Sequence, residues 1–154
     1  MNTRRLLSKL DLNASMTAPT KTILIVDDDA GHLSLLKRFF ESHGYAARTA
    51  LNGEAGLRAA RRLLPNLIIL DLKMPVMDGA QTLAELYKDK TTRAIPVFIL
   101  SGAEIDERTG LVLKQSDNFK KFIEKPASLK DILKDVILHI RMAEAGISPA
   151  TEPA

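Results

Sequence analysis

Four consecutive apolar residues, Leu67-Ile68-Ile69-Leu70, run straight into one carboxylate, Asp71. Pro65-Asn66 bounds the run on one side and Pro75 on the other, so it is too short for a helix and reads as a buried strand. Asp71 then stands at that strand's C-terminal end, where the backbone leaves the sheet. Two further runs have the same form: Ile23-Leu24-Ile25-Val26, which ends in Asp27-Asp28-Asp29, and Val97-Phe98-Ile99-Leu100, which ends in Ser101-Gly102. A strand with no polar face needs cover on both sides, as the central strands of a parallel sheet do.

The intervening segments supply that cover. Leu33, Leu36, Phe39 and Phe40 repeat at helical spacing up to Gly44, a natural C′ residue. Gly53 to Leu64 is a second helical pattern, with Leu57, Ala60 and Leu64 inward and Arg58, Arg61 and Arg62 on a solvated face. Ala80, Leu83, Ala84 and Tyr87 mark a third. The segment from Glu104 to Ser116 has a thin apolar face, and its Gly110 weakens a helix by about 1 kcal/mol against Ala; it is expected to be a helix of low intrinsic stability. The last helix starts at Ser128, with Asp131 three residues on in a capping-box arrangement. Its stripe is Leu129, Ile132, Leu133, Val136, Ile137 and Ile140. Two weaker strands complete the set: Tyr45 to Ala50, with Arg48 in it, and Phe119 to Ile123, with Lys120 and Lys121. Strand and helix alternate five times, which argues an α/β fold with helices on both faces of a parallel sheet. Charged residues suit edge positions, so the second and fifth strands go outside. The expected order is 2-1-3-4-5, the flavodoxin-like doubly wound arrangement, with its ligand crevice where strands 1 and 3 part.

A length of 154 residues fits one domain. Without cysteine, a disulfide framework, thiol catalysis and Cys-ligated zinc are excluded. No apolar run approaches the roughly 18 residues of a membrane helix, and a cytoplasmic location is expected. The net charge of +3, with no Lys/Arg stripe interleaved with aromatics, gives little support for nucleic-acid binding. Residues 1–20 read as a flexible extension without the features of a secretory signal, and Met16 offers an alternative start. Residues 142–154 read as a polar tail.

The polar residues that follow the strands are Asp27 and Asp28, then Asp71, Ser101 and Lys125. Each has a plain reading alone: helix capping, a turn, a surface charge. At equivalent ends of parallel strands they meet in one crevice. Three carboxylates there repel one another and demand a cation; an all-oxygen ligand set selects Mg²⁺, with Mn²⁺ as the alternative. A carboxylate beside a metal and an ammonium can act as a nucleophile toward phosphorus. Asp29, just before the first helix, reads as its N-cap instead.

These stretches, Ile-Leu-Ile-Val-Asp27-Asp28-Asp29, Leu70-Asp71-Leu-Lys-Met-Pro75-Val-Met-Asp78-Gly79, Phe-Ile-Leu-Ser101-Gly102 and Phe122-Ile-Glu-Lys125-Pro126, resemble in order those of response-regulator receiver domains of two-component signalling, over about residues 21–141. The resemblance implies that Asp71 is the phosphoacceptor. It implies that Asp27, Asp28, Asp71 and the backbone carbonyl of Lys73 hold Mg²⁺, that Ser101 and Lys125 bind the phosphoryl group, and that Phe122 turns inward on activation. It implies a cis bond before Pro126. The implied donor is a histidine kinase or histidine phosphotransfer protein. The implied output is a downstream protein contact through the face of the fourth helix, fifth strand and fifth helix, with no direct DNA or membrane binding. The implied activity is that of a signalling switch rather than an enzyme, with at most self-catalysed phosphotransfer and autodephosphorylation. Ala127, Ser116-Asp117-Asn118 and Gly102 depart from the family's usual residues around the output face, and Lys73 occupies a variable position facing the site. A Mg²⁺-dependent phosphatase of the haloacid-dehalogenase type is the competing reading. It requires a second Asp two residues after the nucleophile, where this chain has Lys73. A flavodoxin proper would not place three aspartates where a phosphate binds. About 14 residues after the last helix are too few for a DNA-binding module, so a stand-alone regulator is expected, or else a fragment of a larger one.

Overall fold

The computed structural model describes residues 20–147. Residues 1–19, with most of the expected extension and the Met16 question, and residues 148–154 lie outside the described part. Among the described residues, five strands and five helices alternate: β1 Thr22–Val26, α1 Ala30–Ser42, β2 Ala46–Ala50, α2 Gly53–Leu63, β3 Leu67–Leu70, α3 Gly79–Lys88, β4 Val97–Ser101, α4 Glu107–Gln115, β5 Phe119–Glu124 and α5 Leu129–Glu144. All strands pair in parallel, in the order β2-β1-β3-β4-β5. This is the doubly wound arrangement expected from the apolar centre and charged edges.

Side chains along a strand alternate between faces, and the core divides accordingly. Ile23, Ile25, Leu67, Ile69, Phe98 and Leu100 meet Leu33, Leu36 and Phe40 of α1 and Ile132, Val136 and Ile140 of α5. Leu24, Val26, Ile68, Leu70, Val97 and Ile99 meet Leu57 and Ala60 of α2, Leu83 and Leu86 of α3, and Leu113 of α4. Burying one such Leu or Ile stabilises the fold by about 1.5–3 kcal/mol, which holds both faces of the central strands closed. β5 carries the one break in register of its pair with β4: Val97 faces Phe119, but Phe98 faces Lys121.

The helices follow their sequence signals at the ends. Asn52, Asp78, Asp106 and Ser128 each accept a backbone N–H as N-cap of α2, α3, α4 and α5. Leu64 corrects the expected inward stripe. It is 55% exposed and adopts the left-handed conformation at φ 45° as C-cap of α2, because Pro65 prevents the helix from continuing. α4 starts three residues later than the apolar pattern suggested and buries Leu113 alone among its nine residues. α5 continues to Glu144, into the stretch read as tail.

Candidate functional site

Three of the residues singled out at strand ends, Asp27, Asp71 and Lys125, are held by the neighbouring strand's backbone. Asp27 N donates to Ala50 O of β2 at 3.1 Å, Asp71 N to Val26 O of β1 at 2.9 Å, and Lys125 N to Ser101 O of β4 at 3.0 Å. The side chains therefore leave from rigid anchors, which is what a preorganised site requires.

Asp27, Asp28 and Asp71 converge, with ligand oxygens all within 4.8 Å of one another. Asp27 and Asp71 are buried and Asp28 is exposed. Lys125 Nζ lies 3.2 Å from Asp27 Oδ2 and 3.6 Å from Asp71 Oδ2, so one ammonium serves two carboxylates. Ser101 is buried at 1% exposure; its Oγ accepts from Ala103 N at 3.2 Å, and its hydroxyl lies near enough to Asp71 to favour the charged carboxyl slightly. Beside the acidic group opens a cavity of about 440 Å³, lined among others by Asp28, Lys73, Asp78, Glu104, Asp106 and Thr109.

The two buried carboxylates are tuned in opposite directions. Burial opposes ionisation of Asp27, but the backbone N–H of Asp29, then His32 and Lys125, outweigh it and hold the carboxyl below its ordinary value. Burial also raises Asp71; Lys125 works against that, the Asp27 charge adds to it, and the result is a carboxyl above its ordinary value. A buried carboxylate next to a like charge is held in an unfavourable state that a cation or a bond to phosphorus relieves. The donor set is all oxygen and partly open to the cavity, which suits a hard divalent ion such as Mg²⁺.

Gly79 fixes the loop that leaves Asp71. Its N–H donates to Leu72 O at 2.8 Å, and a Cβ there would fall 2.7 Å from Leu72 Cα and against Asp71 O. Only glycine allows α3 to start this close to the end of β3. Val76, in the same loop, is 94% exposed at φ 69°. The Lys125–Pro126 bond is cis. Phe122 of β5 sits opposite Ile99 and shares a sheet face with Ser101; it is partly buried against the cluster that also takes Ile105, just before α4, and Val112 of α4. Asp29 caps α1, accepting from Gly31 N at 2.9 Å and His32 N at 3.1 Å, and stands apart from the converging carboxylates.

One neighbour of the site was missed in the sequence. His32, in the first turn of α1, places Nδ1 2.6 Å from Asp27 Oδ2, and since a carboxylate oxygen accepts, the ring donates. The available signal was spacing: a ring five residues after Asp27, on a helix whose N-cap follows the carboxylate by two.

Comparisons with known proteins agree with this geometry. A family model described as "Response regulator receiver domain" matches residues 23–137. Protein PilH of Pseudomonas aeruginosa is 33% identical over 114 residues, covering 74% of this chain and 93% of PilH. Response regulator PleD of Caulobacter vibrioides is 34% identical over 120 residues, covering 78% of this chain and 25% of PleD. Among solved structures, a CheY-like response regulator receiver domain protein from Methanospirillum hungatei matches with a TM-score of 0.76 at 25% identity, covering 83% of this chain and 99% of that one.

Proposed function

The chain belongs to the response regulator receiver domain family, and from that premise we propose that Asp71 accepts a phosphoryl group from a histidine kinase or histidine phosphotransfer protein. The observation that carries this reading is the shared ammonium: Lys125 lies between Asp27 and Asp71, with Asp71 raised above the ordinary carboxyl range. In the transfer, an Asp71 carboxylate oxygen bonds to phosphorus as the donor's N–P bond breaks. The released imidazole keeps the electron pair and takes a proton from water. Such a transfer depends on positioning and charge neutralisation more than on covalent help from the protein. Lys125 offsets charge on the transferred group, and Ser101 donates to its oxygens. Asp27, Asp28, Asp71 and the Lys73 carbonyl would hold Mg²⁺, which supplies further neutralisation of phosphoryl charge. Output runs through Ser101 and Phe122 to the face formed by α4, β5 and α5, and its reader is a downstream protein rather than DNA.

Acetyl phosphate with Mg²⁺ tests the first step. One acid-stable, base-labile phosphoryl group per chain is expected, absent in Asp71→Asn. Persistent labelling of that variant would move the nucleophile elsewhere.

A further inference from the structure

Asp27 has three hydrogen-bond partners. Its Oδ1 accepts from Asp29 N at 2.9 Å. Its Oδ2 accepts twice, from His32 Nδ1 at 2.6 Å and from Lys125 Nζ at 3.2 Å. The two donors to Oδ2 differ in freedom. Lys125 rides on a flexible stem with 28% of its side chain exposed and already lies 3.6 Å from Asp71. His32 is fixed in the first turn of α1, with its backbone N–H on Asp29 Oδ1 at 3.1 Å, and α1 is held to the sheet by Leu33 and Leu36.

We propose that His32 is a positioning residue for phosphorylation: it keeps Asp27 oriented and hydrogen-bonded when Lys125 turns from Asp27 to the phosphoryl group on Asp71. This rests on the phosphoacceptor reading above. A phosphoryl group brings close to two negative charges and strong acceptor oxygens next to Lys125. Drawing the ammonium away strips one partner from a carboxylate whose side chain is only 4% exposed. A buried charge that loses its partner is strongly destabilised. With His32 in place Oδ2 keeps its shorter bond, and Lys125 is free to move. A metal-ligand carboxylate that loses its outer partner typically loses about 10- to 100-fold in metal affinity or activity; while Lys125 stays on Oδ2 it still holds Asp27, so that loss is expected only once the ammonium has turned to the phosphoryl group.

The test compares Mg²⁺ alone with beryllofluoride plus Mg²⁺, the latter standing for the phosphorylated state, each by isothermal titration. His32→Leu is expected to weaken beryllofluoride binding by about tenfold or more while changing the affinity for Mg²⁺ alone much less. His32→Asn, whose amide nitrogen falls near the place of Nδ1, is expected to restore most of the loss. His32→Gln, of similar polarity but longer reach, is not, and it serves as the contrast where His32→Leu fails to fold. In a Lys125→Met background no ammonium leaves Asp27, so the effect of His32 on beryllofluoride binding is expected to vanish. Equal losses for Mg²⁺ alone and for beryllofluoride, no loss at all, or an undiminished loss in the Lys125→Met background would each overturn the proposal. A wild-type protein that binds no beryllofluoride would instead remove the phosphoacceptor reading on which it rests.

Discussion

Gly110→Ala isolates the fourth helix from the rest of the switch. Gly110 sits in the middle of α4, with helical backbone sign and its N–H on Asp106 O at 2.9 Å. A Cβ there would meet only Ile105 Cγ2, at 3.7 Å, an ordinary van der Waals contact. With no steric cost, the substitution leaves only the propensity difference, about 0.5–1 kcal/mol in favour of Ala. For a domain of this size that corresponds to a rise of roughly 2–5 °C in the thermal midpoint. Circular-dichroism melts in metal-free buffer read the midpoint, and amide hydrogen exchange assigns the gain to α4. Because the change lies outside the acidic pocket, Asp71 labelling by acetyl phosphate is expected to be unchanged. The gain in downstream-partner affinity on adding beryllofluoride is expected to shrink, since a stiffer α4 shifts less readily. A lowered midpoint would refute the steric reasoning. A raised midpoint with an undiminished affinity gain would refute the role given to α4.

Melts with Mg²⁺ and with EDTA should differ, because a ligand that binds only the native state adds RT ln(1 + [L]/Kd): with a millimolar Kd and about 10 mM Mg²⁺, roughly 1–1.5 kcal/mol. Identical midpoints would mean that the carboxylates do not assemble a cation site. In EDTA, Asp71→Asn should melt higher than wild type near neutral pH. Asp71 is raised in the folded state, so its favourable contribution is complete below the ordinary carboxyl value of 3.8 and is lost as pH rises through the folded value. The advantage of the variant should therefore fade toward pH 4, and a variant less stable than wild type at pH 7 would reverse the sign assigned to this site. Ser101→Ala should leave Asp71 labelling largely intact while removing the beryllofluoride-dependent gain in partner affinity; the same gain in mutant and wild type would exclude the Ser101–Phe122 route.

The sheet was readable because its signal is redundant. Three apolar tetrads demand burial on both faces, and the charges at Arg48, Lys120 and Lys121 exclude their strands from the centre. Strand order then puts Asp27, Asp71, Ser101 and Lys125 on one edge without any knowledge of distances. Two helix starts were equally readable, because capping is local chemistry: Asp29 and Ser128 act within three residues of themselves, whereas the caps Asn52, Asp78 and Asp106 were not read and α4 starts three residues later than expected. The C-terminal ends were less so. Leu64 fits an inward stripe by spacing, yet Pro65 takes the chain out of the helix first. Spacing also missed His139, which is buried on α5 with its ring edge-on to Phe98 at 4.7 Å. Its polarity disguised a core position whose Nδ1 is satisfied by Asp135 O.

What sequence could not show is how one cation is shared across the site. Asp27 and Lys125 are 98 residues apart, and no local pattern links them. Adjacent strands lie about 4.8 Å apart, and β3 and β4 stand between β1 and β5. Lys125 reaches Asp27 only because its backbone stays bonded to the end of β4 and its long stem spans the remainder. The same reach leaves it within 3.6 Å of Asp71, so whatever draws it to Asp71 draws it from Asp27. Once a phosphoryl group draws Lys125 to Asp71, the Asp27 oxygen it vacates keeps a protein donor only if Asp27 has a second one. Asp29 N–H occupies the other oxygen, which leaves His32 as the residue bonded to the oxygen that Lys125 would vacate. That dependence follows from oxygen-by-oxygen geometry, a level at which composition and periodicity carry no information.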